Sequence, residues 1–153
     1  MWTLAKACAV VSACLVAVGS AGAVDMSQPF VAVSVQSTPL YLGEVWGPGL
    51  KQMAAQVNAR VKANCPYHVE ASFQGLRHVE GKATIAPKHM SVVINGRAVP
   101  IGTGRIPVAN SQGPTPYGGV DVPIELQVGV RNLEHYPAGR YGGALVITVM
   151  AGP

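Results

Sequence analysis

Residues 53–63 read Met53-Ala54-Ala55-Gln56-Val57-Asn58-Ala59-Arg60-Val61-Lys62-Ala63, and their alternation decides the fold. Met53, Ala55, Val57, Ala59, Val61 and Ala63 fall on one face. Gln56, Asn58, Arg60 and Lys62, with Gln52 before them, fall on the other, and Ala54 is the exception. Successive side chains of a strand point to opposite faces, so a period of two marks a half-buried strand laid over a core. Ala, Gln, Arg and Lys are also good helix formers. The alternation outweighs that propensity, and the segment is read as strand.

The same period runs outward in both directions. After the break at Asn64-Cys65-Pro66, His68 to Phe73 alternates with Val69, Ala71 and Phe73 inward. Gly75 marks a loop, and Val79 to Ile85 reads as a weaker strand. Ser91-Val92-Val93-Ile94 and Arg97-Ala98-Val99-Pro100-Ile101 flank Asn95-Gly96. Both central residues of a type I′ turn need positive φ, which Asn and Gly tolerate, so this is a hairpin, with Pro100 placing its second arm at a sheet edge. Residues 102–119, rich in Gly, Pro, Ser, Thr and Asn, read as a long exposed loop.

Val122, Ile124, Leu126, Val128 and Val130 form a one-sided strand. Tyr141 to Met150 is apolar on both faces, with Tyr141, Leu145, Ile147 and Val149 one way and Ala144, Val146 and Met150 the other. Before the central strand come Phe30-Val31-Ala32-Val33-Ser34-Val35, then Leu40-Tyr41-Leu42-Gly43 and a turn at Gly47-Pro48-Gly49. Seven or eight short strands with turn signals between them and no helical period predict a single all-β domain, an immunoglobulin-like β-sandwich.

The first 23 residues have a different character. Lys6, the apolar run Ala7 to Val18 and Ala21-Gly22-Ala23 follow the layout of a secretory signal peptide cleaved after Ala23. Removing 23 of the 153 residues leaves 130, one ordinary domain. The expected organisation is signal peptide 1–23, an N-terminal extension or first strand at 24–39, and a sandwich at 40–153. Val11-Ser12-Ala13-Cys14 offers a rival route, lipidation at Cys14, though the apolar run continues past it. Cleavage would remove Cys8 and Cys14 and leave Cys65 alone, so no internal disulfide forms and stability must come from the core. Cys65 beside Pro66 reads as a buried, inert thiol.

Charge excludes some functions. The remaining basic residues are scattered singly rather than clustered, so no nucleic-acid partner is read, and no later stretch is long and apolar enough to span a bilayer as a helix. No catalytic machinery stands out. There is no Gly-x-Ser-x-Gly elbow, no evident base for Cys65, no motif pairing the seven acids, and Gly102-Thr103-Gly104 lacks the third Gly of a dinucleotide loop. The expectation is no enzyme, no cofactor and no metal. A zinc site through His68, Glu70 and His78 is a distant third option, since the four His read as exposed strand and loop residues. Most of Tyr41, Trp46, Tyr117, Tyr136 and Tyr141 read as core or corner aromatics rather than a sugar platform.

Tyr136-Pro137-Ala138-Gly139-Arg140-Tyr141 followed by Leu145-Val146-Ile147-Thr148-Val149 resembles the end of bacterial fimbrial subunits of the chaperone–usher type. Leu40-Tyr41-Leu42-Gly43-Glu44-Val45 is similar to a stretch near their start. With the strands between, the likeness covers most of the mature chain. It implies an immunoglobulin fold lacking its last strand, a neighbour's N-terminal extension filling the gap by strand addition, a periplasmic chaperone, an outer-membrane usher, and a final place in a surface fimbrium. It further implies Val31, Val33 and Val35 as donor side chains, and Tyr141, Leu145, Ile147 and Val149 as the border of the acceptor groove. Val31 to Val35 as the domain's own first strand is the competing reading. One departure is the internal disulfide that many such subunits carry and this chain cannot form. The alternative function is a complete monomeric sandwich that binds a glycan or surface protein through the 102–119 loop and Trp46.

Overall fold

A computed structural model of the chain describes residues 28–36, 44–45, 49–81 and 83–152. The expected signal peptide, Cys14, residues 40–43, Trp46 and the Gly47-Pro48 part of the following turn lie outside the described residues.

The described chain forms nine strands: β1 (Val31–Gln36), β2 (Glu44–Val45), β3 (Lys51–Ala63), β4 (Tyr67–His78), β5 (Met90–Ile94), β6 (Arg97–Ala98), β7 (Ile106–Ser111), β8 (Val120–Val130) and β9 (Gly139–Ala151). Single 3₁₀ turns at Pro87–His89 and Leu133–His135 lead into β5 and towards β9. One sheet has the order β1-β3-β8-β5-β6 and the other β2-β9-β4-β7, with antiparallel pairing throughout. This is an all-β sandwich.

Its order follows the immunoglobulin layout, in which A-B-E-D faces C-F-G. β1, β3, β8 and β5 stand in A-B-E-D order, and β4 pairs β9 as C pairs F. β7 lies on the far side of β4 but arrives after β5 in the chain. The place of G beside β9 is held, among the described residues, by β2 alone, at Gly139 and Arg140.

The core sits where the inward sets of the two sheets meet. Val57, Ala59, Val61 and Ala63 of β3 and Val122, Ile124, Leu126, Val128 and Val130 of β8 are buried, and they pack with Val69, Ala71 and Phe73 of β4 and Leu145 and Ile147 of β9. The strand reading of 53–63 holds, extended to Lys51. The Asn95-Gly96 hairpin holds too: both residues have positive φ, +48° and +75°, as a type I′ turn needs.

Three local expectations change. β4 does not stop at Gly75. Its pairing with β9 slips between Phe73 and Leu76, and this bulge, with Gly75 at φ +98°, turns Leu76 and His78 inward again. Val79 to Ile85 is not a strand but a tight turn, closed by Gly81 N–H donating to His78 O at 2.8 Å and His78 N–H to Ala83 O at 2.7 Å. Among its described residues, only Thr84 makes a bridge, to Arg77. Residues 102–119 are not one loop, because 106–111 forms β7 on the outer edge of β4. Pro107 is tolerated there since an edge strand leaves one row of backbone groups unpaired.

β9 carries two adjacent glycines with opposite surroundings. A Cβ on Gly143 would stand 2.6 Å from the Phe73 ring and 2.7 Å from Gly75 O, whereas one on Gly142 meets nothing within 4 Å. Gly143→Ala is therefore expected to lower stability by about 1–3 kcal/mol through overpacking. Gly142→Ala should leave the urea midpoint within experimental error of the parent, and paired urea titrations check both.

Candidate functional site

The feature that sets this sandwich apart is one edge of the second sheet. From Tyr141 to Ala151, β9 is paired to β4 on one side. On its other side the described residues supply only β2, which reaches no further than Arg140. Beside that edge, in the opposite sheet, lies β1, with Cα atoms of the two strands within 8 Å. Leu145 and Ile147 are buried and Val149 half-buried on the inner face of β9, and Val31, Val33 and Val35 are half-buried on β1. The two sets of residues singled out from sequence thus meet along one side of the sandwich.

Their present partners are specific. Val31, Val33 and Val35 belong to the domain's own first strand, opposite Ala63, Val61 and Ala59 of β3. The chain entering β1 is clasped by Asn64. Its Oδ1 accepts from Phe30 N–H at 2.7 Å, and its Nδ2 donates to Gln28 O at 2.8 Å. Asn64 was read from sequence only as a strand breaker. Cys65 is half-buried, its Sγ 3.8 Å from Phe30 O.

Tyr141 is committed to a corner rather than to the edge. It is buried where β9 begins, and its hydroxyl donates to Pro137 O, four residues upstream, at 2.9 Å. This is the arrangement of a tyrosine corner. Burial pushes the Tyr141 hydroxyl pKa above its ordinary value. His78 packs edge-on against the Tyr141 ring at 5.1 Å between centroids. It is only 4 % exposed, not the surface residue expected, and its Nδ1 accepts from Glu80 N–H at 3.1 Å. Gly139, at φ +145°, leaves room for the imidazole, since any Cβ there would strike the ring.

The zinc option is not assembled. His68 pairs with Met150 and His78 with Tyr141, at opposite ends of β4. Ten residues of strand separate them by roughly 30 Å. Among the described residues no three His, Cys, Asp or Glu side chains are grouped to hold a metal ion.

At the corner end a second polar cluster joins the two 3₁₀ turns. The Tyr136 hydroxyl accepts from Ala86 N–H at 2.9 Å and shares a hydrogen bond of 2.7 Å with His89 Nδ1. The His89 and His135 rings stack at 5.8 Å, with Glu134 Oε1 3.7 Å from His135 Nε2. Arg131 donates to Lys88 O at 2.9 Å. Desolvation, then Lys88, His135 and Arg131, hold the His89 pKa below 6.5, with Glu134 opposing.

Comparison with family models, with curated proteins and with solved structures finds no match for this chain. The function is therefore argued from the site.

Two outcomes are expected. Tyr141→Phe should cost about 1–2 kcal/mol, because Pro137 O loses its donor at a half-buried site. Chemical denaturation measures it. The folded His89 pKa lies below the 6.5 of an unperturbed imidazole, so in that interval the unfolded chain binds a proton that the folded chain lacks. Stability should fall as pH drops through about 6.5 and stop falling below the folded value. His89→Gln should flatten that part of the profile, read as melting temperature from pH 7.5 to 5.

Proposed function

We propose that this protein is a structural subunit of a bacterial surface fibre, joined to its neighbours by strand exchange. The observation that carries the reading is the edge of β9 beyond Arg140, which has no partner strand among the described residues. Exposed edges invite another strand, and proteins usually guard them with charges, Pro or short strands. The outer edges of this sandwich are guarded in that way: β7 contains Pro107, and β6 is two residues long, with Arg97 in it and Pro100 just after. Tyr141 to Ala151 contains no charged residue and no Pro.

β1 fits the donor role. It is six residues long, it lies at an edge, and its Val31, Val33 and Val35 are only half-buried where they stand. In the assembled form, β1 of one subunit leaves β3 and adds to β9 of the next. Main-chain hydrogen bonds supply affinity, and the three valines cover Leu145, Ile147 and Val149. Tyr141 anchors the corner from which the acceptor strand starts. The likeness of 136–149 to fimbrial subunits points the same way. It adds export to the periplasm, a chaperone that covers the edge before assembly, an outer-membrane usher and a final place on the cell surface.

Native mass of the mature chain, with and without excess synthetic peptide covering residues 24–39, tests the proposal. Ordered oligomers that the peptide caps to monomers are expected. A monomer indifferent to the peptide would refute strand exchange.

A further inference from the structure

The two ends of the sandwich carry complementary features that one chain cannot bring together. At the end where β3 turns into β4, residues 112–119 hold Tyr117 clear of the protein, fully exposed at 104 %. The loop under it is fixed. Thr115 N–H donates to Ala63 O at 2.9 Å, and Ala63 N–H donates back to Thr115 Oγ1 at 3.0 Å. Arg60 Nε donates to Gly118 O at 2.9 Å while also pairing with Asp121, and Gly119 N–H closes the turn on Pro116 O at 2.8 Å. An aromatic ring on a rigid turn loses little freedom when it docks, which is what makes Tyr a frequent anchor of interfaces.

At the other end, the outer face of β4 and β9 holds an open trough of about 870 Å³. Arg77, Val79, Glu80, Thr84, Arg140 and Gly142 line it. Gly142 makes its depth, standing opposite Arg77 with open space where a side chain would be. Arg77 and Arg140 are exposed on the same face. Val79, at 62 %, is one of the described chain's exposed large hydrophobics, with Leu50 and Tyr117. A planar guanidinium stacks on a tyrosine face, and an exposed valine is a fitting neighbour for its edge.

We propose that Tyr117 of one copy of this chain seats in the Arg77–Arg140–Gly142 trough of the next. The contact covers two of the exposed apolar side chains with each other. The run of β4 from Tyr67 to Arg77 separates the two features by roughly 30 Å, so no chain fills its own trough. Joining one end to the other is a heterologous contact, which propagates as a filament unless its rotation closes a ring. The proposal takes its partner, a second copy, from the fibre reading, but the contact does not require strand exchange.

The test uses the mature chain with Cys65→Ser throughout. Pro116→Cys, beside the knob, is mixed with Thr84→Cys, on the trough rim, and treated with a short bis-maleimide. A cross-linked dimer is expected from the mixture and not from either chain alone. Tyr117→Ala and Gly142→Val should each remove it and weaken self-association by about tenfold or more, whereas Tyr117→Phe should keep it. Circular dichroism confirms that each variant is folded. Oligomers that persist in both variants without a mixed cross-link, and are still capped by the 24–39 peptide, overturn the contact and leave strand exchange standing. Mixed cross-links that ignore the peptide support the contact and remove strand exchange. A monomer without cross-links overturns both.

Discussion

The ladder between β3 and β8 is the constraint on which the rest depends. It runs without interruption from Lys51 opposite Val130 to Val61 opposite Val120. Along it, the small and branched residues of β3 meet the larger ones of β8 on one face only. A slip of one residue would expose the whole inward set and bury Arg60, Asp121 and Glu125, so the register has no near competitor. β1 and β5 add to the two sides of this pair, and the second sheet packs across its apolar face.

With the centre settled, the edges become the variable part of the molecule. β6 and β7 end their sheets in ways that discourage further pairing. The side formed by β1 and β9 does not: β1 and residues 141–151 of β9 are uncharged, and Val31, Val33, Val35 and Val149 are half-buried at the rim. An incomplete edge gives up part of the burial that a closed sandwich would gain. In the proposed fibre, strand addition from a neighbour would restore that burial and make association a continuation of folding. The tyrosine corner and the buried His78 then have a clear physical role, since they fix where β9 begins and so the height at which an added strand would register.

Several residues were legible from sequence because their physics is local. Asn95-Gly96 requires only its own dihedral preferences, and the inward faces of β3 and β8 require only period two. His78, Gly75 and residues 106–111 were misread because their roles depend on distant chain. The bulge at Gly75 resets which residues of β4 face inward, and a Gly139 far along the chain leaves the space that the His78 ring fills. β7 is a strand because β4 offers it an edge, despite a loop-like composition. Most of the aromatics were expected in a core or corner; Tyr117 is not, because the bonds from Ala63 and Arg60 hold its loop outward.

By itself the sequence determined the fold class, an all-β sandwich, and its central strands with their inward faces. Alternation and turn chemistry are short-range properties, and a chain carries them before it folds. Only the tertiary structure decided which edge has no partner among the described residues, that Val31 to Val35 pair with β3 inside the chain, and that Tyr117 and the Arg77–Arg140 trough stand at opposite ends. Those facts depend on which strands become neighbours, and sheet order is settled by packing between segments far apart in sequence.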